Sequence, residues 1–381
     1  MIRTGLGAAL LAVALAPMPL LSAQRALLPS DWARPAESPA LAVGADGTVV
    51  AAFVSGEAIW STVSRNGGRS FDAPVLVGEH GKIAAGRSWG PRVAVTPDAI
   101  VVTAVHGEQL RGRDGDLYSW RSADRGRTWA GPVRVNDVDG APREGMHDMA
   151  AAPDGRLLNV WLDKVGRGMQ LAGAWSDDGG ASWSDDHLVY ASPDGSICQC
   201  CVPEATFRPD GERAVVMWRN WLDGNRDMYS LEIGPEDGPT PDGAVRLGST
   251  HWKLDACPVS SSGIAVTTRD GTLAFWRHES TLYAATPGKP EVLVGSGREA
   301  TAAAGPDGVH LVWTDAEGRV RTASRAEGPG RIRGRFLGKG FSVAVAGAPD
   351  GLGPVYAAWN VGEQGPDALA LVRLADRRAS R

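Results

Sequence analysis

The sequence predicts an all-β fold, a β-propeller of four-stranded units. Three observations lead to this prediction. The 381 residues include 49 Gly and 25 Pro, about a fifth of the chain, which indicates many turns between short strands. Apolar residues alternate with a period of two, and no window has a helical period. A strand–turn–strand segment also recurs seven times along the chain, and repetition of such units around an axis is typical of a propeller.

The first 23 residues are expected to be a cleaved signal peptide. Arg3 precedes an apolar stretch, Gly5–Leu21, and small residues at 22 and 23 suit a cleavage site. Pro17 and Pro19 interrupt the stretch, which is shorter than the roughly 20 apolar residues of a membrane anchor. Residues 24–381 are predicted to form a single propeller domain that is periplasmic or secreted, with no membrane-spanning segment.

Composition limits the partners that this domain is expected to have. Hydrophobic residues make up 43% of the chain and charged residues 22%, which is typical of a globular protein. The net charge of −5 argues against nucleic acid, because Lys and Arg are not in excess to neutralise phosphates. The expected partner is a small molecule, a glycan or a metal ion, and the oligomeric state is left open.

The seven strand–turn–strand segments predict the first two strands of each unit. They span residues 40–53, 91–105, 147–161, 205–218, 264–276, 301–313 and 343–359. Five of them have a tryptophan at a matching position, which we attribute to packing between units: Trp161, Trp218, Trp276, Trp313 and Trp359. A third strand follows each segment, and a fourth follows all but the last. Residues 26–28 are expected to supply the missing strand and close the ring.

Three segments with the pattern S-x-[DN]-x-G-x-[ST]-[FW] predict hairpin turns. They begin at Ser64, Ser122 and Ser176. The Asp or Asn can accept backbone N–H groups across the turn, and the Gly permits a positive φ. We interpret these boxes as structural, so Asp124 and Asp178 are not candidates for catalysis.

Charged residues recur on three adjacent inner strands. Arg92, Asp148 and Glu204 occupy the same position relative to the turn in units two, three and four. Inner strands line the central channel of a propeller, where charges are costly unless they are solvated or paired. Two interpretations stay open: these residues satisfy one another around a water-filled channel, or they form a ligand site.

The four cysteines are predicted to meet near one mouth of the channel. Cys198, Cys200 and Cys201 precede the inner strand of unit four, and Cys257 precedes that of the neighbouring unit five. Two disulfides are the usual arrangement in an exported protein, but a vicinal Cys200–Cys201 bond would be strained. We therefore expect one of the three to join Cys257, while the others form Cys198–Cys200 or remain free.

A soft-metal site is the competing prediction for these cysteines. Clustered thiolates, with His147 and Met149 as auxiliary ligands, suit copper(I) or zinc. Redox chemistry is a third interpretation. Beside this cluster, Arg219, Arg226 and Asp227 flank a loop of unit four that is expected at the end of a blade, either as a ligand-binding roof over the channel or as a solvated turn with a local ion pair.

The three boxes and the four-stranded units make the chain resemble the sialidase superfamily, whose BNR (Asp-box) repeats have this pattern. The resemblance covers nearly all of residues 24–381 and implies a propeller, usually of six blades against the seven units counted here. The C-Q-C-C at 198–201 and A-C-P at 256–258 also resemble a subgroup of exported sialidase-like proteins.

The resemblance implies a catalytic set that this sequence does not fully contain. A sialidase has three arginines for the substrate carboxylate, a Tyr nucleophile with a Glu partner, and an Asp acid/base. The F/Y-R-I-P motif of the family is absent, and Pro91-Arg92 is its nearest analogue. None of the five tyrosines falls clearly on a predicted inner strand.

Three functions follow from these patterns. The leading hypothesis is a non-hydrolytic protein that binds copper, zinc or another ligand at the cysteine cluster. The alternative is a sialidase-type glycoside hydrolase, in which Arg92 binds the substrate carboxylate and Asp148 and Glu204 are the acid/base candidates. The second alternative is a structural or protein-binding propeller with two disulfides.

Overall fold

The computed structural model describes residues 24–240, 242–324, 334–361 and 368–376. In this part of the chain the regular secondary structure consists of β-strands, which confirms the all-β prediction. These residues include no helix long and apolar enough to cross a membrane. The predicted signal peptide, residues 1–23, lies outside the described residues.

Strands are numbered along the chain from the two-residue β1 (Arg25–Ala26). The first sheet contains β2 (Glu37–Val43), β3 (Val49–Ser55), β4 (Ala58–Ser64) and β5 (Val75–Glu79). The second contains β6 (Lys82–Ile83), β7 (Arg92–Val95), β8 (Ile100–Gly107), β9 (Asp116–Ser122) and β10 (Ala130–Arg134). The third contains β11 (His147–Ala151), β12 (Leu157–Val165), β13 (Gly168–Ser176) and β14 (His187–Tyr190).

The remaining strands form three further sheets. The fourth contains β15 (Glu204–Phe207), β16 (Ala214–Arg219), β17 (Met228–Ile233) and β18 (Val245–Arg246). The fifth contains β19 (Gly263–Thr267), β20 (Gly271–His278), β21 (Thr281–Ala285) and β22 (Val292–Ser296). The last contains β23 (Arg298–Gly305), β24 (Gly308–Thr314), β25 (Arg319–Ser324), β26 (Arg335–Ala346), β27 (Val355–Val361), β28 (Leu369–Ala375) and β1.

The last sheet joins the sixth and seventh repeat units through one long strand. The first part of β26 pairs with β25 and its second part pairs with β27. Arg25 and Ala26 of β1 pair with Leu371 and Ala370 of β28, so the N-terminal segment supplies the outer strand as the sequence predicts. The inner strands contact one another in a closed ring: β2, β7, β11, β15, β19, β23 and β26.

The three boxes form the hydrogen-bonded turns that their pattern predicts. In the third box, Asp178 accepts the backbone N–H of Ser182 at 2.9 Å and its hydroxyl at 2.6 Å. The hydroxyl of Ser176 accepts the N–H of Gly180, also at 2.9 Å. Burial would raise the pKa of Asp178, but the hydrogen bonds that its carboxylate accepts from Ser182 and Ser176 lower it. Each box therefore closes the connection from the third strand to the fourth.

The five matching tryptophans lie in the core and not on the surface. Trp161, Trp218 and Trp359 are fully buried, and Trp276 and Trp313 are nearly so. Their position on second strands places them between sheets, where large aromatic side chains contribute most to packing. They are therefore not available as platforms for a sugar.

Candidate functional site

The inner strands enclose a central cavity of about 250 Å³. Arg92 of β7, Asp148 of β11 and Glu204 of β15 all line it, so the structure brings the three predicted charges together. Arg87 and Glu299 line the same cavity, and the sequence analysis missed both. None of the five tyrosines, all of which are described, lines the cavity.

Arg92 and Asp148 form an ion pair across neighbouring units. The Nε of Arg92 lies 2.8 Å from Oδ1 of Asp148, and the backbone N–H of Ala205 donates to Oδ2 at 2.9 Å. Burial raises the pKa of Asp148, and the Arg92 charge and these hydrogen bonds oppose that rise. The carboxylate of Asp148 therefore links its own strand, β11, to β7 and β15 at the cavity wall.

Glu204 is a carboxyl group whose ionisation the cavity opposes. Burial raises its pKa well above the usual value, and the neighbouring charge of Asp148 raises it further. Two carboxyl groups close together cannot both ionise easily, and Asp148 is the one that pairs with Arg92, so the proton is favoured on Glu204. This acid–carboxylate arrangement is of the kind that general acid–base chemistry requires.

We expect Glu204→Gln to raise the free energy of unfolding at neutral pH. The folded-state pKa of Glu204 is raised, so its contribution to stability is complete below the unfolded pKa, near 4.5, and is lost as the pH rises through the folded pKa. Gln has no proton to lose. The difference in free energy of unfolding between the variant and wild type, measured by urea unfolding, should grow as the pH rises above 4.5. A difference that does not change with pH would contradict this account.

Glu299 holds a strained position that the sequence pattern does not reveal. Its φ is 57°, and Ser38 and Ser342 have similar values at the matching point of their units. Its Oε2 accepts the hydroxyl of Thr314 at 2.7 Å and the backbone N–H of Ser342 at 2.9 Å. A charged residue two positions before the predicted segment 301–313 was the available signal.

His147 and Met149 lie apart from the cysteines. Thr103 of β8 contacts both, with Oγ1 at 3.2 Å from Nε2 of His147 and 4.0 Å from Sδ of Met149. Successive residues of a strand point to opposite faces, so these two share a face that excludes Asp148. Burial, followed by the Arg92 charge, lowers the pKa of His147 to about 3, so it is neutral. The structure thus does not place either as an auxiliary ligand of the cysteines.

The cysteine cluster contains one disulfide and two free thiols. Cys200 is bonded to Cys257, and Cys198 and Cys201 are free and buried. The Sγ atoms of Cys198 and Cys201 lie 2.9 Å apart, and that of Cys198 lies 3.8 Å from Cys200. Among the described residues, the three sulfurs at 198–201 form the group of possible metal ligands, all within 4.8 Å of one another. This pairing is one of the arrangements that the sequence left open.

Arg219 lies buried beneath this cluster. Its Nη1 and Nη2 donate to the backbone carbonyls of Arg226 at 2.6 Å and Arg277 at 2.7 Å, and its guanidinium stacks on Trp252. All of these partners are neutral groups. The positive charge of Arg219 is therefore not cancelled by a carboxylate in these contacts, and it acts on the nearby thiols.

Two more arginines surround the thiols in the same way. Arg226 donates from Nη1 to the sulfur of Cys198 at 3.3 Å and from Nε to the carbonyl of Leu254 at 3.0 Å. Arg277 donates to the carbonyl of Pro258 at 2.5 Å. The described contacts of these arginines thus go to carbonyls and sulfur, which creates a cationic environment suited to a thiolate.

This environment favours a single negative charge on the thiol pair. Burial alone would raise the pKa of Cys201, but the hydrogen bond from Cys198 and the Arg219 charge lower it to about 6. The same hydrogen bond and burial raise the pKa of Cys198. The pair therefore holds one proton between two sulfurs at neutral pH.

Asp227 fixes the loop that carries these arginines. Its carboxylate accepts the backbone N–H of Trp252 at 2.9 Å and contacts Nδ1 of His251 at 2.6 Å. From the sequence, Asp227, Arg219 and Arg226 were either a roof over the channel or part of a solvated turn with a local ion pair. None of the three lines the central cavity; they border the cysteine cluster instead.

Comparisons support the fold but do not identify the chemistry. No family model matches the sequence, and no curated protein is similar to it in sequence. The fold is similar to that of an unknown-function protein from Dyadobacter fermentans, with 16% identity over 94% of this chain and 100% of the other and a TM-score of 0.56.

Two similar structures belong to enzymes. One is the α-L-arabinanase of Penicillium chrysogenum, with 13% identity over 94% of this chain and 99% of the other and a TM-score of 0.54. The other is the virginiamycin B lyase of Staphylococcus aureus, with 11% identity over 92% and 99% and a TM-score of 0.53. A microbial sialidase is also among the similar structures, at a TM-score of 0.49. At this identity the likeness shows a propeller fold alone, since one fold supports different chemistries.

Proposed function

We propose that this protein is a metal-binding propeller that holds one soft monovalent ion, copper(I), between Cys198 and Cys201. The observation that supports this proposal is the pair of free, buried thiols 2.9 Å apart, with a cationic side chain on one of them. Thiolates are the ligands that copper(I) prefers. The ion would replace the proton that the two sulfurs now share.

Charge favours copper(I) over zinc at this pair. Replacing one proton by one monovalent cation leaves the net charge of the pair unchanged, so the surrounding arginines stay balanced. Zinc is usually bound by four ligands in a closed site. The described ligand group offers three sulfurs, and Cys200 is already committed to Cys257.

Export of the protein is part of the same proposal. The N-terminal sequence has the charged, apolar and small-residue regions of a signal peptide. An oxidising compartment is where the Cys200–Cys257 bond would persist. N-terminal sequencing of protein recovered from the periplasm or medium should begin near Gln24.

Anaerobic titration with copper(I) against a competing chelator tests the metal site. We expect one copper(I) per chain, and the count of reactive thiols under denaturing conditions should be two before loading. An intact mass four protons below the reduced value, with no reactive thiols and no bound copper, would contradict the proposal. That result would favour a structural propeller with two disulfides.

Glycoside hydrolysis in the central cavity is the second candidate function. The raised pKa of Glu204 beside the Arg92-paired Asp148 favours it, because hydrolysis of a glycosidic bond uses an acid and a carboxylate. Fluorogenic sialosides and arabinofuranosides are suitable probes. Glu204→Gln should lower turnover by roughly a hundredfold or more if Glu204 is the acid, whereas Cys198→Ser should leave it unchanged. Absence of turnover on such glycosides would remove this candidate.

A further inference from the structure

The four cysteines differ sharply in their access to solvent. Cys198, Cys200 and Cys201 are buried, with Cys198 completely inaccessible. Cys257, the partner of Cys200 in the disulfide, is exposed. The disulfide therefore connects the buried thiol pair to the surface.

The distances between the sulfurs permit exchange among them. Cys198 lies 3.8 Å from the disulfide sulfur of Cys200, close to contact distance, and 2.9 Å from Cys201. Arg226, 3.3 Å from the sulfur of Cys198, stabilises a negative charge there. Thiol–disulfide exchange needs a thiolate next to a disulfide sulfur and a leaving thiol that can depart. The geometry provides both once the proton of Cys198 has passed to Cys201, because Cys198 then faces the disulfide sulfur of Cys200 and the leaving Cys257 is exposed.

We propose that these cysteines form a thiol–disulfide relay that carries two electrons from the buried pair to the exposed Cys257. In the first step the proton of Cys198 passes to Cys201, and the Cys198 thiolate attacks Cys200. The Cys198–Cys200 bond forms, the Cys200–Cys257 bond breaks, and Cys257 leaves as a thiolate that takes a proton from solvent.

The second step regenerates a thiol at Cys200. Cys201 loses its proton to solvent and attacks the sulfur of Cys198, so that the Cys198–Cys201 bond forms and Cys200 leaves as a thiolate. The buried pair is oxidised and the Cys200/Cys257 pair is reduced, and no external oxidant is needed. The exposed thiol of Cys257 can then attack a disulfide in a partner protein or a small molecule, and Cys200 displaces the reduced product by re-forming the Cys200–Cys257 bond; a disulfide is therefore the class of substrate.

This relay uses the same cysteines as the proposed metal site and alternates with it. The reduced buried pair is the form that binds copper(I), and the oxidised pair has no thiolate to offer. The relay nevertheless operates without metal. The two proposals can therefore fail separately.

Trapping with N-ethylmaleimide in the presence of a copper chelator tests the relay. The starting protein has two thiols and one disulfide, obtained if necessary by returning one equivalent of oxidant to fully reduced protein. The folded protein is incubated with the reagent and no reductant, and the labelled positions and disulfides are mapped by mass spectrometry. We expect label on Cys257 and a disulfide that joins Cys198 to Cys200 or Cys201.

Two serine variants distinguish the steps of the relay. Cys198→Ser removes the attacking thiol, so labelling of Cys257 should fall at least tenfold while Cys200–Cys257 stays intact. Cys201→Ser retains the attacker, so Cys257 should still be labelled and Cys198–Cys200 should accumulate. Label confined to Cys198 and Cys201 in wild type, or equal labelling of Cys257 in Cys198→Ser, overturns the proposal. If the relay operates but copper(I) does not bind, only the proposed metal site is refuted. If copper(I) binds but the relay does not operate, only this inference is refuted.

Discussion

Replacing Cys198 or Cys201 by serine is expected to weaken copper(I) binding by roughly a hundredfold to a thousandfold, because the soft ion then has one thiolate where it had two. Serine has nearly the size of cysteine, so packing in this buried region changes little. The loss should be the same for the two variants, because each removes one member of the same pair. Competition titration with a copper(I) chelator measures the affinity, and far-UV circular dichroism verifies the fold.

The matched control removes the neighbouring disulfide and keeps the thiol pair. The double variant Cys200→Ser/Cys257→Ser contains Cys198 and Cys201 as its two remaining cysteines. We expect it to bind one copper(I) with an affinity within about tenfold of wild type. The double variant keeps both ligands and loses only the neighbouring bond that helps to position them. If this double variant loses copper as completely as the single variants, the ion is not held by Cys198 and Cys201 alone.

Arg92→Met is expected to lower the free energy of unfolding by about 3 kcal/mol at neutral pH, because it leaves Asp148 as a buried charge without its partner. The side chains of Arg92 and Asp148 are 20% and 13% exposed, so solvent screens this pair only partly. The loss should shrink at acidic pH, where Asp148 can take up a proton. Urea unfolding followed by tryptophan fluorescence at several pH values measures both effects.

Two further variants separate the ion pair from general disruption of the cavity. Adding Asp148→Asn to Arg92→Met removes the orphaned charge, and much of the lost stability should return. Arg156→Met breaks an exposed pair with Asp177, which is 75% exposed, and should change stability by less than about 1 kcal/mol. A double variant less stable than Arg92→Met would show that Asp148 contributes by contacts other than the ion pair.

The repeat pattern was enough to predict the propeller because the features that define each unit lie close together in the sequence. The boxes specify turns through side-chain to backbone hydrogen bonds within a few residues, and these form as predicted at Asp178. The alternating strands specify which face is buried, and the five tryptophans lie there. The last unit lacks a fourth strand of its own in the sequence, and this gap predicts that the N-terminal segment, which contains Arg25 and Ala26, closes the ring.

The candidate site was predictable in part of its membership but not in its contacts. Matching positions on neighbouring inner strands were enough to bring Arg92, Asp148 and Glu204 to one cavity. The alternation of side chains along β11 was a signal that His147 and Met149 share a face away from Asp148, and the sequence analysis did not apply it. Glu299 was missed because it lies in an irregularity near the start of β23, ahead of the segment 301–313 that the alternating pattern marks.

The sequence by itself determined that this chain forms an all-β repeat fold, and that its four cysteines precede two adjacent inner strands. Only the tertiary structure decided which sulfurs pair, because Cys198, Cys200 and Cys201 are nearly equivalent in sequence, and the sulfur of Cys198 lies within 3.8 Å of both others. It also decided the charge at the cluster. Arg219 and Arg277 come from different units, and only folding brings their charges, unmatched by carboxylates in the contacts described, to the buried thiols.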